Sequence, residues 1–467
     1  MNLFRELVTN NSKSNIHSHG DNYSYNRFIQ DADTFSTFKI NRSLVFIVGN
    51  NSYDCLTGYV GLLRANAVVA LINDSIHESM WNDLLINFKP AFIYQPKSFF
   101  QCEKTWDQKF MFGEYLLYET NIEIDYAINS DLSLLLMTSG STGSPEFVRL
   151  SHNNIFSNTK AICEYLEISN NDVAITTLPM SYSYGISIIN THLFMGSSLI
   201  LTDASLMEKK FWQIISRYKA TTFGGVPYTF EMLKKLKFEK LSIPSIKYIT
   251  QAGGNLSQGL LDYFSGACMQ KKIDFIVMYG QTEASPRMSY LPPKMLQQKL
   301  GSIGVTIPGG KFNLMNEKDQ IIDEPNIEGE LVYEGENVSL GYARNCYDLA
   351  NGDLNNGVLK TGDMAKVDSD GYYYIVGRKK RFLKIFGNRV SLDQIEQKLN
   401  GSGYICACVG VDDQMKIYTT KESYVQKIQS YIAKYFKINK SGFSINCIDK
   451  IPRNSSGKIL YSEIEKN

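Results

Sequence analysis

The chain has 467 residues, 43% of them hydrophobic and 20% charged, with a formal net charge of +1. That length is enough for two or three structural units of ~150 residues, and the composition excludes a disordered, collagen-like or low-complexity chain. The near-zero charge argues against a generally basic nucleic-acid binder, and eight cysteines without a C-x-x-C pair argue against a disulfide scaffold or zinc ribbon.

Residues 1–20 show no positive segment leading into an apolar run, and no stretch approaches the ~18 apolar residues of a membrane span. The expectation is a soluble, cytoplasmic protein. His17 and His19 sit in this polar start, where loop histidines are ordinarily incidental rather than metal ligands. Short apolar runs bounded by turn residues predict strands at 44–48, 68–72, 91–94, 132–138, 173–177, 198–201, 221–224 and 274–278. Helix-like segments between several of them fall at 53–64, 75–86, 153–166, 209–218 and 228–236. The alternation predicts an α/β architecture with largely parallel, buried strands.

Beyond about Gly301, Gly-, Asn- and Asp-rich turns separate shorter alternating runs such as 329–333 and 372–376, which predict an antiparallel β unit attached to the larger body. A basic stretch, GRKKRFLK at 377–384, precedes a helix at 391–399, a strand at 405–411, a helix at 424–436 and a strand at 443–448. Cys406 and Cys408 alternate on the first of these strands and so share a face, as small core residues do. A domain boundary is placed near Lys380, giving a large α/β unit with its β subdomain over 1–380 and a small α+β unit over 381–467. The first carries a net charge of −5 and the second +6.

The segment LLLMTSGSTGSPEFVRLSH, 134–152, opens an apolar strand into a loop dense in Ser, Thr and Gly. Such a loop aims backbone N–H groups and hydroxyls at phosphate oxygens. It is not a Walker A loop, having no Lys-Ser/Thr after the second glycine. Four further stretches follow in order: QAGGNLS at 251–257, YGQTEAS at 279–285, KTGDMAKVDSDGYYYIVGRKKRFLKIFGNRVSLDQIE at 360–396, and IPRNSSGKIL at 451–460. Together the five segments resemble the adenylate-forming superfamily of acyl-CoA synthetases, nonribosomal-peptide adenylation domains and firefly luciferase, from about Arg42 to Lys458.

The resemblance implies two half-reactions. A carboxylate attacks the α-phosphate of ATP to give acyl-AMP and pyrophosphate, and a thiol, on CoA or a phosphopantetheine carrier protein, then takes the acyl group. By the same resemblance Thr138, Ser139, Gly140, Ser141, Thr142 and Gly143 cradle the β- and γ-phosphates. Glu283 holds Mg²⁺ and Thr282 donates to the α-phosphate. Gly253 and Gly254 allow close backbone approach to adenine, Tyr279 offers a ring to stack on it, and Gly280 belongs to the same segment. Asp363 accepts from the ribose hydroxyls with Arg378 alongside. Lys458 matches the adenylation lysine, Lys380 the hinge of a small domain that swings between the half-reactions, and Lys384 to Gly387 the face met by the thiol. A basic lid over an acidic body suits closure on ATP.

Several positions depart from the family pattern. The phosphate loop usually ends in Pro-Lys-Gly and here reads Pro145-Glu146-Phe147, so a carboxylate is expected to repel phosphate and the lost glycine to stiffen the loop. Arg149, three residues on, is the nearest compensating cation. Tyr182 stands where a histidine is common, while Tyr184 and Gly185 keep the pattern. No acidic residue occurs between Asp172 and Asp203 to pair with an α-ammonium, which favours an acyl group without that charge over an amino acid. FGGVPYTF, 223–230, is expected to line the acyl site. The short VDDQMKIYTT segment replaces a longer hairpin and points toward a carrier protein as acceptor. A degenerate nucleotide-binding scaffold is the alternative from another class.

Overall fold

Strands that are apolar on both faces are buried only inside a layered domain, and Leu44–Gly49 (LVFIVG) and Val68–Asn73 (VVALIN) have that character. They pair in parallel, Leu44 opposite Val68 and Val48 opposite Ile72. Alternation sends Val45, Ile47, Val69 and Leu71 into one apolar cluster and Leu44, Phe46, Val48, Val68 and Ile72 into another. A computed structural model describes residues 4, 14–99, 106–139, 145–386, 388–436, 438–453 and 459–464. Among these residues the strands form five sheets.

The first large sheet has eight strands, with Leu132–Ser139, Val68–Asn73, Leu44–Gly49 and Phe92–Pro96 at its parallel centre and antiparallel strands on both sides. The second has nine, running in parallel from Asn15–Ser18 through Ser198–Leu201, Val173–Ile175, Thr222–Gly225 and Tyr248–Gln251 to Asp274–Gly280. One apolar cluster joins them, combining Val45 and Leu71 of the first, Leu199 and Leu201 of the second, and Leu56 and Ile189 from the helices Tyr53–Arg64 and Ser183–Phe194. A four-stranded antiparallel sheet follows, ordered Lys311–Met315, Gly329–Glu334, Val358–Val367, Tyr373–Arg378. The last part of the chain pairs Phe382–Ile385 with Asn388–Ser391 and packs the helix Leu392–Gly401 on a three-stranded sheet. There Cys406 and Cys408 face one apolar cluster while Ala407 and Val409 face another, as their alternation predicts. No described helix is long and apolar enough to cross a membrane.

The α/β reading holds, and two helix boundaries move for local reasons. The helix expected at 75–86 begins at Glu78, because the Ser75 N–H is captured by Asn73 Oδ1 at 2.8 Å and the His77 side chain caps the helix by accepting from Ser79. The one expected at 424–436 is helical over Val425–Tyr431 and continues as a π turn over Ile432–Phe436. The helix Ser183–Phe194 was not legible, since it is buried on nearly every side and carries no amphipathic stripe.

The departures around the phosphate loop take a different meaning in three dimensions. Pro145–Ser151 is a strand paired with Leu132–Ser139, placing Glu146 opposite Thr138. Phe147 does not stiffen a loop: it is fully buried, its ring 4.8 Å from that of Phe88 and 6.2 Å from that of Phe46. Glu146 is met by Arg344 at 3.4 Å. Arg149 is no phosphate cation either. It is 0% exposed, and its guanidinium donates to the carbonyls of Leu340 (2.5 Å), Asn351 (2.5 Å), Tyr342 (3.1 Å) and Gly352 (3.1 Å).

Phe147→Ala should therefore lower stability by about 3–5 kcal/mol with little change in the denaturant slope. Urea unfolding checks this, since an exposed loop position would move stability by no more than about 0.5 kcal/mol.

Candidate active site

Ligands of open parallel sheets bind beyond the carboxyl ends of the strands. The strand Asp274–Gly280 ends in a turn that only glycine permits, because a Cβ on Gly280 would lie 2.0 Å from the Pro286 carbonyl oxygen. The following segment projects Gln281, Thr282 and Glu283 at one place, with Tyr279 just before it.

Asp363 is the hub of this region. It lies on the strand Val358–Val367, opposite Arg378 in the ladder, and is 6% exposed. The Tyr279 hydroxyl donates to its Oδ2 at 2.5 Å and the Gln281 amide to the same oxygen at 3.0 Å. Gln281 also donates to the Thr361 carbonyl at 3.0 Å. The Arg378 Nε stands 3.7 Å from Oδ1. Burial pushes the Asp363 carboxyl above the usual carboxylate range, against the pull of the Tyr279 hydroxyl, the Arg378 charge and Gln281. Tyr279 thus spends its hydroxyl on fixing Asp363.

Thr282 and Glu283 are held by groups from elsewhere in the chain. Thr282 Oγ1 lies 3.0 Å from the hydroxyl of Ser183, the first residue of the helix Ser183–Phe194. Tyr342 donates its hydroxyl to Glu283 Oε1 at 2.6 Å, and the Ser339 N–H donates to the Glu283 carbonyl at 2.8 Å. Arg149 clamps the backbone of Leu340 and Tyr342, so the buried cation after the phosphate loop sets the segment that steadies Glu283.

Gly253 has φ +82°, where glycine is favoured, and a Cβ there would come 2.7 Å from the Tyr182 hydroxyl. A Cβ on Gly254 would lie 3.1 Å from Pro227. The missing side chains admit Tyr182 and Pro227. Thr138 is half-buried near the end of Leu132–Ser139, and the Ser139 backbone pairs with Pro145. Gly140, Ser141, Thr142, Gly143, Gly387 and Lys458 lie outside the described residues. Lys384 is exposed, its backbone N–H donating to Asp412.

At the expected hinge, one carboxylate holds both sides. Asp393 accepts from the Arg378 N–H at 2.8 Å and from Arg381 Nε at 2.5 Å. Arg381 also reaches Glu396 at 2.6 Å and lies 3.8 Å over the Tyr461 ring. Lys380 sits exposed between them.

A cavity opens beside this site. Its lining includes Tyr184, Ser187 and His192 of the helix that starts at Ser183, Thr222 and Gly224 of a strand, and Arg287. Of the 223–230 segment only Gly224 lines it, since Phe223 of the strand and Phe230 of the following helix enter an apolar core cluster. Sequence reasoning missed Gln281 and Arg287, although both stand within eight residues of Tyr279. It also missed Ser183 and Tyr342, which come from distant segments.

The AMP-binding enzyme family matches residues 13–343. The chain belongs to this family. Among curated relatives, a 2-succinylbenzoate–CoA ligase of Bacillus cereus is 26% identical over 364 residues, 74% of this chain and 72% of that protein. That of Geobacillus sp. (strain WCH70) is 27% identical over 366 residues, 75% and 72% of the two chains. Among solved structures, the o-succinylbenzoate CoA synthetase of Bacillus subtilis in complex with AMP superposes with a TM-score of 0.81 at 18% identity, covering 99% of this chain and 98% of that one. The same synthetase has been solved with ATP and magnesium, TM-score 0.80 at 18% identity over 99% of both chains. The large body and small carboxyl-terminal unit are this fold. This chain is thus an AMP-binding enzyme, and the relatives it matches are named as acid–CoA ligases.

The Tyr279 bond to Asp363 has a pH signature. A carboxyl whose folded pKa is raised favours the fold most below its unfolded pKa, and that contribution is lost as pH rises through the folded value. The Tyr279 donor limits the loss by favouring the carboxylate. Tyr279→Phe should thus cost about 1–3 kcal/mol of stability at pH 8 and progressively less as pH falls, which urea unfolding at pH 8 and pH 5 measures. An equal cost at both would show the bond to be independent of ionisation.

Proposed function

We propose that the cleft around Asp363, Thr282 and Glu283 adenylates a small carboxylic acid and passes the acyl group to CoA in the cytoplasm. The observation that carries this reading is the convergence of Tyr279, Gln281 and Arg378 on one buried carboxylate, beside Thr282 and Glu283. A buried aspartate whose remaining acceptor capacity faces an arginine suits a pair of vicinal hydroxyls, and Asp363 takes the ribose. The chain divides near Lys380 into residues 1–380, which bind the nucleotide and the acid, and 381–467, which turn about the hinge.

In the first half-reaction negative charge gathers on a five-coordinate phosphorus and on departing pyrophosphate, so placed donors and cations lower the barrier. Thr138 to Gly143 bind the β- and γ-phosphates. Thr282, positioned by Ser183, donates to the α-phosphate, and Lys458 bridges it to the incoming carboxylate. Glu283 suits Mg²⁺: among the described residues no three His, Cys, Asp or Glu side chains cluster for a protein-only cage, and Mg²⁺ is ordinarily held by one or two carboxylates plus substrate phosphates and water. Bound there, the ion would neutralise charge on the phosphates. In the second half-reaction Lys384 and Gly387 face the thiol.

CoA as acceptor is supported by the curated relatives, which are named as CoA ligases. Amino-acid adenylation is disfavoured by a cavity lining that holds no carboxylate. A degenerate scaffold is disfavoured by the intact set of bonds around Asp363.

Exchange of labelled pyrophosphate into ATP, dependent on an added carboxylate, tests the reading. Lys458→Ala should lower exchange at least a hundredfold while AMP binding, followed calorimetrically, is retained. No exchange with any acid in a broad panel, from folded wild-type protein, would overturn it.

A further inference from the structure

Among the described residues, two arginines are buried in the body of the protein without a carboxylate within ion-pair distance, and they differ in what fills them. Arg149 is 0% exposed and each donor-bearing nitrogen of its guanidinium meets a backbone carbonyl. Arg287 is 2% exposed and lines the cavity beside the active site. Its Nε has no hydrogen-bond partner among the described residues, while its terminal nitrogens meet Ser187 Oγ at a long 3.5 Å and the Tyr165 hydroxyl. The Tyr184 ring lies 4.5 Å from the guanidinium carbon, and the Tyr165 hydroxyl stands nearby while pointing to the Met278 sulfur at 3.0 Å. An aromatic face offsets part of the cost of burying a cation but leaves the planar fork of donors unfilled.

The cavity confines what can fill that fork. It encloses about 320 Å³ of space not occupied by protein atoms, part of it open to solvent. The lining is closely packed and leaves room for a small terminal group rather than a broad one. No acidic side chain lines it. In the same lining, His192 donates through Nδ1 to the Ile188 carbonyl at 2.8 Å, which leaves Nε2 a buried acceptor without a partner among the described residues. The floor is thus polar as well as cationic.

The position of Arg287 relates it to the chemistry. Ser183, which touches Thr282, starts the helix along which Tyr184 and Ser187 meet the guanidinium. Ser187 follows Ser183 by four residues, a rise of ~6 Å. An acid whose reacting carboxylate lies at Thr282 therefore meets Arg287 about one helical turn further in.

We propose that the acid activated by this enzyme is a slender dicarboxylic acid, whose second carboxylate is bound by the incompletely filled guanidinium of Arg287 about 6 Å from the reacting end. This rests on the adenylation reading above and adds to it the class of acid and the residue that selects it. A carboxylate matches the guanidinium fork with two parallel hydrogen bonds, and it supplies the negative charge the cavity lacks. An acid ending in a methyl group would instead leave the cation buried and unpaired.

The test is pyrophosphate release with ATP and CoA, using succinic, glutaric, adipic and pimelic acids against their monomethyl esters. Wild-type kcat/KM for glutaric or adipic acid should exceed that of its ester at least thirtyfold. In Arg287→Met that ratio should fall to near one or invert. Should Arg287→Met fail to fold, Arg287→Lys keeps the charge without the fork and should lower the ratio about tenfold, mainly through KM. Equal use of diacid and ester by the wild type, or an unchanged ratio in the folded variant, overturns the proposal while leaving adenylation standing. If no acid releases pyrophosphate, the adenylation reading fails instead. Calorimetric titration of wild type and variant with adipate alone then decides the site: binding that Arg287→Met weakens supports it, and no binding, or equal binding, overturns it.

Discussion

The candidate site is organised around one carboxylate held where water is scarce. Asp363 is nearly buried, and burial alone would favour its protonated form. Tyr279 and Gln281 on one side and Arg378 on the other make the charge tenable. These partners come from two different sheets: Tyr279 ends a parallel strand of the nine-stranded sheet, while Asp363 and Arg378 face each other in the four-stranded one. The same bonds that tune the carboxylate therefore also dock the β subdomain against the larger body. Arg378 extends the linkage, since its backbone N–H meets Asp393, which also holds Arg381.

Buried cations divide the labour of the molecule. Arg149 is filled by four carbonyls and acts as a staple: it fixes the 340–352 stretch, from which Tyr342 reaches Glu283. Arg381 is filled by Asp393, Glu396 and the Cys408 carbonyl and lies against Tyr461, so the first residue after Lys380 is tied firmly to the segments that follow it. Lys380 itself is exposed and free of such ties among the described contacts. That contrast suits a pivot, because rotation at one residue needs anchored neighbours on both sides. Arg287 alone among these three arginines has donors left over.

Much of the fold was legible from local pattern. The strand at 198–201 and the helices at 53–64 and 209–218 were read to the residue, because their apolar periodicity and flanking turn residues agree. The Cys406 and Cys408 face followed from alternation alone. Helix Ser183–Phe194 escaped because total burial erases the stripe that marks a surface helix. The strand Tyr248–Gln251 escaped because YITQ mixes polar residues with Ile249 and makes no continuous apolar run. In the candidate site, Asp363, Tyr279, Thr282 and Glu283 were named from motif order and lie together in the fold, whereas Gln281, Ser183, Tyr342 and Arg287 were not named. Each of the latter acts through a neighbour remote in sequence or through a cavity.

The amino-acid sequence by itself determined the α/β class and the order of the motifs and nominated the groups proposed to meet ATP, because those rest on periodicity and on chemistry carried within short segments. Tertiary structure decided the meaning of the departures. Glu146 and Phe147 read as damage to a phosphate loop and Arg149 as its compensation, yet pairing of Pro145–Ser151 with its neighbour strand places Phe147 in the core, Arg149 among carbonyls and Glu146 beside Arg344. It also decided which of two carboxylate-free arginines is spare, since whether a buried donor is filled depends on chain segments that only folding brings to it.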